Sequence, residues 1–350
     1  MKIQAEIKED KILIQKQKDV GRLSSRSHFG KNLANDKLEL DYIEATYLLD
    51  EQKIKIKKEK SNVSFKEIIK LAAKKILGFE IKYQVYKDLR KRGHIISVKK
   101  NKYFDFKKYQ SKKDQDNENN FFVKTFSERD FLDILQTIAF LKKHIKNQEL
   151  WYAIVDEEGD ITYYNIIHTI PTGTNKEDTY KKIKATLMEN RVIIFDKELS
   201  KELFEKEFYG KPFGEALQLS FAEALYLMQK QKLEIKDIND KKISKTDFLR
   251  IAEKIQSDIK QRLSVYSLLK KNGMIVKTGF KFGTHFRAYS KNPDESHAEH
   301  LVQVVPADYK GLWSDISRGV RLGHSVNKNF IFACFSKKDI DFINLGRLRP

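Results

Sequence analysis

Tyr289, His297 and Lys328 are residue types suited to cleaving a phosphodiester, and all three stand in the last quarter of the sequence. Tyr289 is followed by the polar loop "SKNPDES", by His297 and His300, and by the apolar run "LVQVVP"; Lys328 closes "GHSVNK". Cutting RNA without a metal takes a base for the 2′-hydroxyl, an acid for the departing 5′-oxygen and a cation for the phosphorane. Histidine, with an ordinary pKa near ~6.5, suits acid or base work at neutral pH. Tyrosine, at about 10, is a poor base unless a neighbouring cation assists it, a part open to Lys328. Lysine also stabilises charge that develops in a transition state, and each acid–base group contributes roughly 10²–10⁴-fold. The plain alternative is a surface loop carrying two solvated imidazoles. The "HAEH" stretch also invites a metal reading and its "HxE" a deaminase reading, but the further ligands, any C-x-x-C pair among them, are missing.

These residues belong to one half of a chain that repeats itself. Shifted by about 180 residues, the sequence matches itself at Gly30/Gly210, Tyr86/Tyr266, Gly93/Gly273, Phe106/Phe286 and Tyr109/Tyr289. A shift of 179 adds Glu44/Glu223, Tyr47/Tyr226, Asn165/Asn344 and Pro171/Pro350. The matches fall in order and share local patterns, and the period is too long for a solenoid, so a module is duplicated. Each copy opens with an amphipathic helix running into a strand, "DYIEATYLLDEQKIKI" or "SFAEALYLMQKQKLEI". The helices "SFKEIIKLAAKK" and "SKTDFLRIAEKI" begin on Ser with an acid three residues on, as a capped start does. "YQVYKDLRKRG" and "VYSLLKKNG" end on the Gly expected past a helix C-terminus. Extended segments, one more helix and two apolar strands follow. Helix plus mixed sheet on this scale predicts an α/β (α+β) module, each copy a small α+β domain followed by a mixed-sheet domain. The boundaries expected are 1–80 and 81–171 in the first copy, a polar linker over 172–187, then 188–258 and 259–350 in the second.

A duplicated module lets one copy act as control for the other. Tyr109 and Tyr289 correspond. The counterpart of the His297 loop, "SKKDQDNENN", has no histidine, and Gln148 stands where the second copy has Lys328. The first copy therefore keeps a frame without the histidine and the lysine, which argues for chemistry at His297 over a solvated loop. Another difference runs the opposite way. The first copy carries the acidic turn Asp156, Glu157, Glu158, Gly159, Asp160, where the second has Lys337 and Lys338. On a chain of net charge +19, an acidic turn kept in one copy suggests docking onto a basic surface. An ordinary solvated hairpin turn is the alternative.

Composition limits the classes of function. The 350 residues are 40% hydrophobic and 11% aromatic, enough for a buried core of several domains. The net charge and a pI near 9.5 point to a polyanionic partner, nucleic acid first. The single cysteine, Cys334 in "NFIFACF", excludes an internal disulfide and a cysteine-built zinc site. It reads as a small core residue in a reducing cytoplasm. No apolar run reaches the ~18 residues of a membrane span, and the N-terminal "MKIQAEIKEDKILIQ" alternates like a strand, without a signal-peptide core.

With "GFKFGTHFRAY", "SHAEHLVQVVP" and "VRLGHSVNK", the second copy closely resembles the catalytic domain of the archaeal tRNA-splicing endonucleases. "LSFAEALYLM" and "NLGRLRP" resemble the same family's N-terminal domain and last strand. The first copy is similar through "FGKNLANDKLELDYIEATYLLDEQKIKI" and "VDEEGDITYYNIIHTIP". The resemblance implies a metal-independent endonuclease that needs no cofactor. Such an enzyme cuts both splice sites of a bulge–helix–bulge fold in precursor tRNA, leaving a 2′,3′-cyclic phosphate and a 5′-hydroxyl. Carried over, the general base falls on Tyr289, the general acid on His297, with His300 as competitor, and the stabilising cation on Lys328. The side chains that sandwich a bulge base fall on Arg321 and Arg347, where the first copy has Leu141 and His168. Family members assemble four endonuclease-like units, so a two-copy chain is expected to form a homodimer. There the turn of Asp156, Glu157, Glu158 and Asp160 would insert near the partner's catalytic copy. Two other readings remain: a non-catalytic RNA-binding scaffold subunit, and a metal-dependent nuclease on a similar sheet.

Overall fold

The structure is a computed structural model describing residues 2–99, 101–109, 121–144, 149–175, 182–336 and 339–350. The first copy contains strands β1 (Ile3–Lys8), β2 (Lys11–Ile14), β3 (Lys31–Leu33), β4 (Lys37–Leu40), β5 (Ile54–Lys58) and β6 (Ser61–Val63). Helices α1 (Gln17–Gly21), α2 (Tyr42–Asp50) and α3 (Phe65–Lys75) accompany them. Then come α4 (Phe79–Lys91), β7 (Ile95–Val98), β8 (Phe106–Tyr109), β9 (Phe121–Ser127), β10 (Phe131–Asp133), α5 (Ile134–His144), β11 (Glu149–Val155) and β12 (Ile161–Thr169).

The second copy repeats the series. Its first part holds β13 (Ile183–Met188), β14 (Arg191–Ile194), α6 (Lys197–Glu205), β15 (Lys211–Phe213), β16 (Ala216–Leu219), α7 (Phe221–Gln229), β17 (Leu233–Lys236), β18 (Lys242–Ile243) and α8 (Lys245–Ile255). Its second part holds α9 (Ile259–Lys271), β19 (Ile275–Thr278), β20 (Phe286–Tyr289), β21 (His300–Pro306), β22 (Lys310–Leu312), α10 (Trp313–Ser325), β23 (Asn329–Phe335) and β24 (Ile340–Leu348).

The two small sheets have the same strand order, β3-β4-β2-β1-β5-β6 and β15-β16-β14-β13-β17-β18. The fold is thus the expected mixture of helix and mixed sheet, built twice. Two expectations needed adjusting. The N-terminal stretch is two antiparallel strands, because Glu9 and Asp10 take left-handed φ of 44° and 66° and turn the chain between them. Residues 172–187 are not all linker, since β13 starts at Ile183 and buries Ile183, Ala185 and Leu187 on alternate positions.

Identities that repeat between the copies have local causes. Ser64 caps α3 and forms a reciprocal box with Glu67, as the spacing predicts. Glu44 and Glu223 close capping boxes at α2 and α7 and also accept the backbone N–H of Gly30 (3.1 Å) and Gly210 (2.8 Å). Gly30 holds φ of 70°, and a Cβ there would meet the Glu39 carbonyl oxygen at 2.7 Å, so only glycine fits the turn. Burial pushes the Glu44 carboxyl up to about 7, against the two backbone donors that favour its charge.

Two compact units emerge: Met1–Ile167 with Lys310–Ile316 and Arg347–Pro350, and His168–Tyr309 with Ser317–Gly346. In each, one large hydrophobic cluster runs through both parts of its copy. In the first unit, Ile12, Leu38 and Leu48 share a cluster with Tyr86, Phe106 and Trp151. This unit also buries Trp313, whose ring lies 5.4–5.7 Å from those of Phe126, Tyr152 and Tyr164, and β22 pairs with β10. In the second unit, Ile194, Leu225 and Phe248 share a cluster with Tyr266, Val302 and Ile331. Cys334 is buried, as expected for a small core residue. No described helix is long and apolar enough to cross a membrane.

Candidate active site

Three neighbouring strands of the second copy bring the proposed chemistry together. β20 runs antiparallel to β21 with Ala288 opposite His300, and β21 runs parallel to β23 with His300 opposite Asn329. The end of β20 and the starts of β21 and β23 therefore lie in one row, about 4.8 Å apart from strand to strand. Tyr289 follows Ala288, Lys328 precedes Asn329, and His297 ends the loop that leads into β21. Residues forty apart in sequence thus become neighbours through register alone.

Each of the three has its own support. Tyr289 is only 7% exposed and packs against Ile275, Ala298 and Phe208. The Arg287 guanidinium carbon lies 5.9 Å from the centre of the Tyr289 ring and 6.0 Å from that of Phe282. Lys328 Nζ lies 5.9 Å from the centre of the same Phe282 ring and donates to the Val326 carbonyl at 3.3 Å. Its backbone N–H donates to the Gly323 carbonyl, and Asn327 beside it holds φ of 53° to make the turn out of α10. A Cβ on Gly319 would meet the Phe330 ring at 2.8 Å, so α10 can approach β23 this closely only with glycine there.

The loop between Tyr289 and His297 is ordered by Asn292. Its carbonyl accepts the N–H groups of Glu295 and Ser296, and its Oδ1 accepts the N–H of Asp294. His297 at its end is exposed. His300 is different: it is partly buried, its Nδ1 lies 3.4 Å from Asn329 Nδ2, and burial pushes its imidazole below the ordinary value while the Glu299 charge works the other way.

The remaining expected residues are placed as follows. Arg321 is exposed on α10 and Arg347 is exposed on β24. His168, the first-copy counterpart of Arg347, is held 2.8 Å from Asp341. Asp156, Glu157, Glu158 and Asp160 make the β11–β12 turn, but Asp156 is a brace within it. Its Oδ1 accepts the N–H groups of Glu158 (3.1 Å) and Asp160 (2.9 Å), the same pattern Asp237 makes with Asn239 and Lys241 before β18. Glu157 meets Arg129 at 2.6 Å, with both side chains well exposed. Lys337, Lys338 and Gln148, and the first copy's "SKKDQDNENN", lie outside the described residues.

The first copy shows what the frame looks like without the set. Tyr109 ends β8 as Tyr289 ends β20, and its hydroxyl is 3.2 Å from Ser97 Oγ. It lines an open cavity of about 980 Å³ with Ser24, His28 and Ser97. At the matching positions the second copy has Phe204, Phe208 and Lys277. Phe208 packs on Tyr289, and Lys277, over the Phe204 ring, donates to the Gly210 carbonyl at 2.9 Å. Among the described residues no three His, Cys, Asp or Glu side chains gather as a metal ion would need. Sequence reading missed Arg287, Phe282, Phe208 and Asn292; the bulky residues at 204 and 208, where the other copy has Ser24 and His28, were the available signal.

A small sheet domain followed by a mixed-sheet domain, built twice in one chain, defines the class of fold, and comparison with known proteins identifies it. Residues 79–163 and 259–342 each match the family model described as tRNA intron endonuclease, catalytic C-terminal domain. Residues 3–69 and 183–249 each match the model of the same family's N-terminal domain. The chain is 36% identical to a tRNA-splicing endonuclease of Methanococcoides burtonii, over 99% of this chain and all of that one. It is 35% identical to one of Methanosarcina mazei over 99% of both chains, and 30% identical to one of Haloferax volcanii over 92% of this chain and 93% of that. The chain belongs to the tRNA intron endonuclease family, with both family domains present twice. It is accordingly an endonuclease of tRNA splicing.

The sheet that carries the site has a built-in acid sensitivity. His285 Nδ1 accepts the N–H of Val304 in β21 at 2.9 Å, and its Nε2 lies 3.3 Å from Asp258. Burial, and then the Arg262 guanidinium, push its pKa down to about 4, with Asp258 opposing. Between ~6.5 and about 4 the unfolded chain binds a proton that the folded chain refuses. The stability from neutral His285 is therefore complete above ~6.5 and declines as pH falls through that window, by up to ~1.4 kcal/mol per pH unit. His285→Asn, which keeps an acceptor for Val304, should flatten that part of the acid limb. Urea unfolding at pH 7, 5.5 and 4.5 checks this, and parallel limbs for both proteins would refute it.

Proposed function

We propose that the second copy is the catalytic one and that it cuts precursor tRNA at both splice sites of a bulge–helix–bulge fold. Tyr289 takes the proton of the 2′-hydroxyl, the oxygen attacks the adjacent phosphorus, and His297 protonates the leaving 5′-oxygen. Lys328 neutralises the phosphorane. The products are a 2′,3′-cyclic phosphate and a 5′-hydroxyl, and no step calls on a metal. The register that aligns Ala288, His300 and Asn329 is the observation that most supports this reading. The exposure of His297, against the partial burial of His300 at the head of a strand, supports His297 as the acid. Arg321 and Arg347 serve as contacts to bulge bases, since guanidinium planes stack well on them.

The chain acts as a homodimer in this reading, with two catalytic copies and two that serve as frame. The acidic turn of the first copy docks onto the partner through Glu157, Glu158 and Asp160. Asp156 is assigned to holding the turn's shape, in view of its two backbone hydrogen bonds.

Three measurements test the proposal. His297→Ala and Lys328→Ala should each slow cleavage of a bulge–helix–bulge RNA about 10²-fold or more, with His300→Ala mild, in reactions run in EDTA with the RNA ends analysed. A larger loss at His300, or activity that EDTA abolishes, would overturn the assignment. Arg321→Ala and Arg347→Ala should each weaken bulged RNA by roughly 1–3 kcal/mol and plain duplex by less; equal losses would reduce them to phosphate contacts. Replacing Glu157, Glu158 and Asp160 with Ser should shift dimer towards monomer in light scattering, more so at high salt, with cleavage falling in step. An intact, fully active dimer would rule out docking by this turn.

A further inference from the structure

Glu299 lies two residues beyond His297 and one before His300, and the proposed mechanism gives it no part. Its carboxylate accepts two hydrogen bonds from Ser290, the residue after Tyr289: one from the backbone N–H at 2.8 Å and one from Oγ at 2.6 Å. Its own carbonyl accepts the N–H of Asn329, the residue after Lys328, at 2.8 Å. One residue thus bonds directly to the strand end that carries Tyr289 and to the strand start that follows Lys328, while adjoining His297 along the chain. Hydrogen bonds to an ionised acceptor are among the stronger and more directional ones. Burial, the largest single influence, works against the charge, but the Ser290 donors, helped by Glu299's own backbone N–H and by His300, hold the carboxyl below its ordinary range.

Ser290 is gripped from the other side as well. Its carbonyl accepts both the N–H (3.0 Å) and the Oγ1 hydroxyl (3.2 Å) of Thr174. Gly173 and Asn175 beside Thr174 donate to the carbonyls of Asn272 and Gly273, which ties this segment to the end of α9. The first copy lacks this brace. Strand register sets Val123 opposite Phe106 and Val302 opposite Phe286, which makes Asn120 the counterpart of Glu299, and Gln110 that of Ser290. The brace is present in the copy that has the histidine and the lysine, and neither of its residues is kept in the copy that lacks them.

We propose that Glu299 is a positioning residue for RNA cleavage, holding the Tyr289 end of β20, the His297 loop and the Lys328 turn at fixed spacing without touching the substrate. The proposal rests on the site reading above, and displacements of ~1 Å in such a set cost on the order of 10²-fold in rate. In full-length protein cleaving a bulge–helix–bulge RNA, E299A should lower kcat about 10- to 100-fold with KM within about twofold. E299Q, whose amide oxygen still accepts the Ser290 N–H and whose NH₂ can donate to its hydroxyl, should stay within about threefold of wild type in kcat. S290A, which keeps the backbone bond, should be milder than E299A. The double variant should be no worse than E299A, because the two act as one unit.

Wild-type kcat in E299A overturns the proposal. So does E299Q as impaired as E299A, which would mean that the charge itself acts on the RNA or on a proton. A loss confined to KM would also overturn it, since that is an RNA contact. H297A is run alongside to separate the two readings. If H297A is inactive and E299A is normal, only the positioning role fails; if H297A cleaves normally, the site reading fails and this proposal with it.

Discussion

The alignment of Ala288 with His300, and of His300 with Asn329, is the constraint on which the site depends. Side chains alternate faces along a strand, so a slip of one residue in either pairing would carry a whole set to the opposite side of the sheet. Devices outside the strands hold the alignment. Phe208 and Ala298 enclose Tyr289, the close approach of Gly319 to Phe330 fixes α10 on β23, and Asn327 turns the chain to deliver Lys328. None of these side chains carries chemistry in the proposed reaction, and each sets where one that does will stand.

The two copies share one frame. Both retain the small sheet, the capped helices, the buried Glu at the second residue pair of Gly30/Glu44 and Gly210/Glu223, and a tyrosine at the end of the corresponding strand. Around that tyrosine they part. In the second copy the space beside it is filled by Phe208, with Lys277 bound to the Gly210 carbonyl, whereas Ser24, His28 and Ser97 leave it open in the first. The same strand-end tyrosine is walled in by packing in one copy and borders a cavity in the other.

What could be read from sequence followed from how local its cause was. Helix caps such as Ser64 with Glu67, and the helix-ending Gly93 and Gly273 at φ of 87° and 78°, are decided within a few residues and were legible. The hairpin between β1 and β2 was not, because Glu9 and Asp10 make its turn without glycine or asparagine. The start of β13 was legible in principle, since Ile183, Ala185 and Leu187 repeat the spacing of Ile3, Ala5 and Ile7. Tyr289, His297 and Lys328 could be nominated from their types and from the contrast between copies, but not placed. Their proximity is set by pairings across forty residues. Glu299 was seen only as part of a metal-like "HAEH", because its bonds to Ser290 exist only once the loop has closed. The bracing bonds of Asp156 are invisible in sequence for the same reason: they belong to the folded turn.

Trp313 is written into the second copy of the sequence, yet its ring is buried among Phe126, Tyr152 and Tyr164, and residues 310–316 and 347–350 belong with the first compact unit. During synthesis the ribosome therefore releases the first repeat well before the indole that completes its core exists. That half lacks its buried indole until some three hundred residues have been made. Cutting the gene between its repeats would yield a first product with a hole where a tryptophan belongs, and a second with that tryptophan stranded in water.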